Sequence, residues 1–492
     1  MKASRLERAT EFFTNPTLPP RFQWLSTVWL AILYMLGIFL WGYFLNWGRG
    51  PFNYHDWADI NAPRLAFLKD AVSQGVLPLH ISDIAPLAYV TDRFMVVPDA
   101  ILSPQIWLLK YMDIGIFVMV NNWLLYSVGF WGLVTLKKRF QLSLFTFSIL
   151  FLLFNFNGHI LAHISVGHIT WWGSFLFSWF AVFVFDLIEN KTGWIWVAKI
   201  SVLLFALYLQ GAYHQFIWSI LFLGLLVIAI PAKTLDILKA IGFSLALSMV
   251  RILPPTLHLG EFDNKFIGGY PLFVSLWNAL VKIEIPNDIT INTGLTKPIG
   301  LWEYTLYVGL LAGAFLVVFG IIRPLSNISV NSAYRALLIP SLILMVISLG
   351  KIYQYVRLAF PIPLFTGERI ASRFIGLSFV FVLTLAVIEL QHWLNSTQLS
   401  GLTRLFLILS SVFSVHDMWM NYRLWRIADA SQKFEAKPFN PLNWFVANRY
   451  NDLEYIQILW LGLGISLISL GLLIYFMFQE KKKSLEEHSI DP

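Results

Sequence analysis

The chain has 492 residues, of which 57% are hydrophobic and 13% charged, with a mean hydropathy of +0.66. A soluble chain carries about 25% charged residues, so a single water-soluble core is excluded and lipid must cover the remaining apolar surface. The net charge of +7 falls mostly at the ends of apolar runs, which marks topology rather than a nucleic-acid partner, and the absence of cysteine excludes disulfides and thiolate metal sites.

The apolar runs predict an all-α polytopic membrane protein, one transmembrane domain over residues 1–492 with about twelve transmembrane helices and both termini cytoplasmic. Trp24 to Trp47 follows a basic start (Lys2, Arg5, Arg8, Arg21) and reads as an uncleaved first span. A first outer loop, 48–113, then holds Leu65 to Leu79, a proline-bounded stretch read as an amphipathic helix lying on the membrane surface. The next span returns to Lys137-Lys138-Arg139, and spans at 141–156 and 169–188 follow, the second ending at Glu189-Asn190-Lys191. A helical hairpin turns at Gly211-Ala212-Tyr213-His214 and comes back to Pro231-Ala232-Lys233. Span 237–250 leads to a second outer loop, 251–304, and the chain returns to Arg323. Span 336–350, a polar connection with Lys351 and Arg357, a span ending near His392 and span 403–415 precede a third outer loop, 416–454. The last span ends at Lys481-Lys482-Lys483, in a cytoplasmic tail written as 479–492. On this path every long polar segment is outside.

The polar residues of that outer side carry the candidate chemistry. Asp56 and Asp59, three apart after the first span, share one face of an α-helical turn; they suit a shared proton, hydroxyl or metal, or else cap and charge the helix that follows. His159 and His163 are four apart and His168 follows; such imidazoles either chelate a metal, rim a substrate cavity or bond backbone carbonyls. His214 stands in a polar interruption, Gln210 to Gln215, which either lines the same cavity or is a simple turn. Arg369 and Arg373 break the positive-inside rule; four apart, they match phosphate oxygens, or else meet headgroups or Glu368. His416, Asp417, Arg423 and Arg426 read mostly as solvated loop, and Arg251, Glu261, Asp263 and Glu303 stand in the second outer loop.

The order of these features resembles the C-type superfamily of membrane glycosyltransferases, and looks closest to its bacterial YfhO-like branch. The resemblance covers roughly residues 24–390 and rests on five pieces: Asp56-Trp57-Ala58-Asp59, Leu68 to Leu79 with its Gly75-Val76-Leu77-Pro78-Leu79 end, Gly158-His159 to Gly167-His168, Trp302 to Gly309, and Glu368 to Phe374. It departs at His80-Ile81-Ser82, where the family commonly continues with Trp-Asn-Pro, and no sizeable soluble outer domain is present. The resemblance implies an enzyme of the plasma (inner) membrane that moves a hexosyl or pentosyl group from a polyprenyl-phosphate sugar donor to a lipid, glycan or protein acceptor on the outer face. It implies Asp56 as general base, with Asp59 assisting or holding a metal, and Arg369 and Arg373 holding the donor phosphate; His159, His163, His168, His214 and Glu303 are taken as substrate-binding. Members differ over a divalent cation, Mg²⁺ or Mn²⁺, for which Asp56, Asp59, His159 and His163 are the candidate ligands. A transporter or flippase of lipid-linked sugars is the alternative; spans nearly free of charge favour chemistry at the surface.

Overall fold

The computed structural model describes residues 5–82, 92–258, 265–284, 290–291, 299–326, 331–397, 399–437 and 444–488; Glu261, Asp263 and the end of the tail, 489–492, lie outside the described residues. The helices in chain order are α1 (Arg5–Thr14), α2 (Gln23–Phe44), α3 (Ala62–Gln74), α4 (Ile114–Arg139), α5 (Leu144–Phe156), α6 (Gly158–Ser165) and α7 (Phe177–Ile188). They continue as α8 (Trp194–Leu209), α9 (Tyr213–Ala229), α10 (Thr234–Leu247), α11 (Met249–Ile252), α12 (Phe273–Val281), α13 (Leu310–Phe315) and α14 (Arg323–Leu325). The last seven are α15 (Leu338–Ile347), α16 (Gly350–Ala359), α17 (Pro363–Thr366), α18 (Ile375–Ser396), α19 (Gly401–Trp425), α20 (Ile427–Ala430) and α21 (Leu453–His488). Among the described residues the strand content is one antiparallel pair of two-residue strands, Thr290–Ile291 with Ile299–Gly300.

Among the described residues, six stretches are long and apolar enough to cross a bilayer: Pro20–Phe44, Ile114–Arg139, Leu144–Ser165, Ile169–Ile188, Ala371–Ser396 and Leu453–Lys483. The pair Pro231–Leu247 and Met249–His258, bent by 57°, makes a seventh if counted as one broken span. Four shorter apolar helices, Trp194–Leu209, Tyr213–Ala229, Leu310–Leu325 and Ser332–Ile347, pack among them, and the sequence expectation of about twelve includes helices of this kind.

Residues form these helices because apolar runs in lipid must satisfy every backbone group internally. α18 is apolar on all sides and almost wholly buried, which makes it the central post of the bundle. α2 and α21 present large exposed apolar side chains such as Met35, Phe39, Leu467 and Ile468, as lipid-facing helices do. Helix ends alternate between the two faces of the bundle. At one, the C-termini of α4 and α7 meet through Arg139 and Asp186, 2.7 Å apart. At the other, the start of α9 and the ends of α6 and of the 54–61 segment gather.

Three expectations change at that second face. The stretch read as a surface helix is α3, which runs 62–74 rather than 65–79 and is mostly buried, with Ala62, Leu65, Phe67, Leu68, Ala71 and Val72 in the core. Other protein elements cover it: the 104–110 turn packs on it, and Arg64 pairs with Asp99 at 3.1 Å. The third outer loop does not begin at 416, because α19 continues to Trp425 with Tyr422 donating to the carbonyl of Leu40. The described residues on either side of 438–443 meet the first loop, where Lys437 N donates to Asn53 O (2.6 Å) and Ser82 N to Phe445 O (2.9 Å). Arg251, placed by sequence in a loop, is fully buried and donates to the carbonyls of Met95, Val97, Pro98 and Ala100, so it holds the 95–100 strap in place.

Candidate functional site

Asn157 breaks the Leu144–Ser165 span between α5 and α6 and starts α6 as its N-cap, its side chain accepting from Ile160 N at 3.2 Å. His159 and His163 therefore lie in the last turns of a membrane-spanning stretch. The chain then turns at Gly167, whose φ of +105° and whose place only 2.4 Å from Trp57 N, measured from an added Cβ, leave no room for a side chain. That close approach stacks the 54–61 segment on the end of α6. Tyr54 Oη and Trp57 Nε1 both donate to Ser165 O, at 2.6 and 2.9 Å, and Asn61 Nδ2 donates to Gly167 O at 2.6 Å.

This staple places Asp56 beside His168, with Oδ2 2.7 Å from Nε2. The network then continues inward. His168 Nδ1 lies 2.6 Å from His163 Nδ1, and His163 Nε2 lies 3.8 Å from Glu303 Oε2. Glu303 accepts a forked pair from Arg373, Nε at 2.8 Å and Nη2 at 2.6 Å. Arg373 Nη1 stands 3.1 Å from His214 Nε2, whose Nδ1 is 2.8 Å from Glu368 Oε2. Trp218 Nε1 also donates to Glu368, at 3.2 Å. Residues from five separate stretches of sequence thus share one continuous chain of polar contacts. Gly211, with φ +71° and Asp99 O 2.4 Å from an added Cβ, makes the tight turn that delivers His214.

Trp171 forms the wall of this chain. It lies flat against the His163 ring (centroids 3.9 Å apart), carries the Arg373 guanidinium over its face at 5.1 Å, and donates Nε1 to His159 Nε2 at 3.1 Å. His159 is held by that bond, beside His163 but one step outside the network.

Electrostatics keep the acids ionised. Burial alone would raise the Asp56 carboxyl, but the hydrogen bond and charge of His168, with the charges of His55 and Arg373, hold it at about 2. Burial likewise works against ionised Glu303 and Glu368; Arg373 overrides it at Glu303 and His214 at Glu368, so both lie below the usual carboxylate range. Burial lowers His55, with the Asp56 charge opposing, and its Nδ1 faces Val166 O (3.2 Å) and Asp56 Oδ1 (3.3 Å). The Asp56 side chain stays 24% exposed while that of Glu303 is 3% exposed, so Asp56 is the end of the network open to a second molecule.

The structure brings together Asp56, His163, His168, His214, Glu303 and Arg373, with His159 adjoining. It separates the other two candidates. The 57–61 segment is a π-helical turn, wider than an α turn, which rotates residue i+3 away from residue i; Asp59 pairs instead with Lys437, both about half exposed. Arg369 and Arg373 do not share a helical face, because Arg369 lies in non-helical backbone with its carbonyl accepting from Ile267 N (2.9 Å), and only Arg373 is on the turn Ala371–Phe374. The forked donors of Arg373 are occupied by Glu303 rather than offered outward. Sequence reasoning did not single out His55, whose ring edge meets Trp302 at 4.4 Å, nor Trp171; their adjacency to Asp56 and His168 in the chain was the available signal.

Beside the network runs an apolar crevice of about 140 Å³ between α12, α15, α18 and the 310–322 segment, lined by Phe273, Trp277, Leu306, Leu316, Ile375 and Phe379 among others. Leu306 follows Glu303 by three residues and Ile375 follows Arg373 by two. The start of α12 exposes Phe273 and Val274, beside Leu272 just before it. Comparison of the chain with protein-family models, with curated proteins and with solved structures finds no match.

Proposed function

We propose that the protein is a membrane glycosyltransferase that takes a sugar from a polyprenyl-phosphate donor, with Asp56 as the general base for an acceptor hydroxyl. The observation that carries this reading is the junction of two environments: a buried charged network that ends in an ionised, partly open carboxylate, and whose Glu303 and Arg373 stand two or three residues from Leu306 and Ile375 in the wall of an apolar crevice. A sugar on a lipid phosphate needs both, an apolar channel for its isoprenoid chain and a polar chamber for its head.

In the step proposed, the acceptor oxygen bonds to the anomeric carbon, the bond from that carbon to the phosphate oxygen breaks, and its electron pair leaves with polyprenyl phosphate. The hydroxyl proton passes to Asp56. His168 and His55 keep that carboxylate ionised and oriented, and Arg373 acts as a positioning residue that fixes Glu303. The bent pair, the four short helices and α19 counted as spans bring the six long ones to twelve crossings, and the positive-inside rule puts the Lys137-Lys138-Arg139 and Lys481-Lys482-Lys483 ends in the cytoplasm, hence the network on the outer face. The acceptor is then a lipid, glycan or protein there.

The test is transfer by the purified full chain from a panel of polyprenyl-phosphate and polyprenyl-diphosphate sugars. Formation of a glycosylated acceptor with release of polyprenyl phosphate supports the reading. Movement of intact donor across vesicles with no transfer overturns it in favour of a flippase.

A further inference from the structure

The buried end of the network contains an imidazole nitrogen that no hydrogen bond satisfies. His168 Nε2 faces Asp56 Oδ2 at 2.7 Å, which leaves Nδ1 as the His168 nitrogen turned inward. His163 Nδ1 lies 2.6 Å from it, so the two rings bring imidazole nitrogens together at one point. His163 Nε2 is fully buried, without a hydrogen-bond partner, and 3.8 Å from Glu303 Oε2. A buried nitrogen without a partner beside a carboxylate calls for an explanation, and a cation held among these groups supplies one. The charges around them agree: Asp56, Glu303 and Glu368 are three carboxylates of this network against one guanidinium, Arg373.

We infer that His163, His168 and Glu303 form a binding site for a divalent first-row transition metal, with Zn²⁺ the best match. One ligand atom from each of the three lies within 4.8 Å of the other two. Two imidazoles and a carboxylate with a remaining open position are a donor set of catalytic zinc sites. Nitrogen donors disfavour Mg²⁺, which takes oxygen ligands and holds its water. Asp56 supports the site from outside by fixing the His168 ring through its far nitrogen, as carboxylates behind metal-bound histidines do. This site differs from the Asp56, Asp59, His159 and His163 set expected from sequence, because Asp59 points to Lys437 and His159 accepts from Trp171. The open position of the metal would take a phosphate oxygen of the donor, a role not met by Arg373; that last clause rests on the transfer reading, whereas the metal site does not.

The test uses the full chain in detergent, stripped with chelator and titrated calorimetrically with ZnCl₂, then loaded with Co²⁺ for its visible spectrum. The expected result is one equivalent of Zn²⁺ not displaced by millimolar Mg²⁺, and a Co²⁺ spectrum of low coordination number with imidazole ligands. His168→Ala is expected to weaken Zn²⁺ at least ~100-fold, and Asp56→Asn ~10-fold to ~100-fold as a supporting partner. Failure of the wild type to bind stoichiometrically overturns the site, as does a wild-type Co²⁺ spectrum without imidazole, whatever the variants do. Zn²⁺ bound by a chain that transfers no sugar would remove the transfer reading and leave the metal site standing.

Discussion

Two arginines, one at each face of the bundle, are each clasped by two carboxylates, yet they sit in different chemistry. Arg139 meets Asp186 at 2.7 Å and Glu189 at 2.8 Å, side chains 15% and 23% exposed, with Lys191 on Glu189 and Tyr334 completing the shell. Arg373 meets Glu303 and Glu368, side chains 3% and 1% exposed, and the contacts run on through His214, His163 and His168 to Asp56. The first cluster is near water and closes on itself, as a clamp between α4 and α7 does. The second is drawn from five stretches, carries an excess of carboxylate, and ends in a partly exposed acid. A stabilising clamp needs none of those three features, which is why the second is read as a reaction site.

The largest expected effect comes from Arg373→Ala, which strands two buried carboxylates. It should lower stability by about 3–5 kcal/mol, read by thermal unfolding in detergent, and abolish transfer with it. Asp56→Asn separates chemistry from folding: transfer should fall about 10²-fold to 10⁴-fold while the melting temperature moves little. Arg139→Ala is the control from the other face. It should lower stability by about 1 kcal/mol, since its partners are near solvent, and leave transfer intact; a loss of transfer as large as that of Asp56→Asn would erase the distinction between the clusters. Asp59→Asn should do least, within about 0.5 kcal/mol and with unchanged transfer, because its partner is the exposed Lys437.

The class of fold was legible from apolar run length alone, and the ends of α2, α4 and α7 fall close to where charge and aromatic residues place them. What the runs could not show was where a helix stops for packing reasons. α3 looked amphipathic because its polar Lys69, Asp70 and Ser73 suggested a wet face, yet Leu65, Phe67 and Leu68 are covered by protein rather than by lipid. α19 looked like a short span and a loop because Asp417 and Arg423 interrupt its apolarity, although backbone hydrogen bonds carry it through to Trp425.

At the candidate site, residue types were readable and partnerships were not. The Asp56–His168 pair spans 112 positions and the Glu303–Arg373 pair 70, and no local spacing announces either. The i, i+3 and i, i+4 patterns favoured Asp59 and Arg369 because they assume α-helical turns; a π turn at 57–61 and non-helical backbone at Arg369 remove that assumption.

The most direct measurement compares wild type with Asp56→Asn for sugar transfer from a polyprenyl-phosphate donor, with both proteins matched for folding by their melting curves. A folded variant that binds donor yet has lost transfer by at least about 100-fold is the predicted result. Equal transfer by wild type and variant would contradict the account, since the open end of the network would then not be where the acceptor loses its proton.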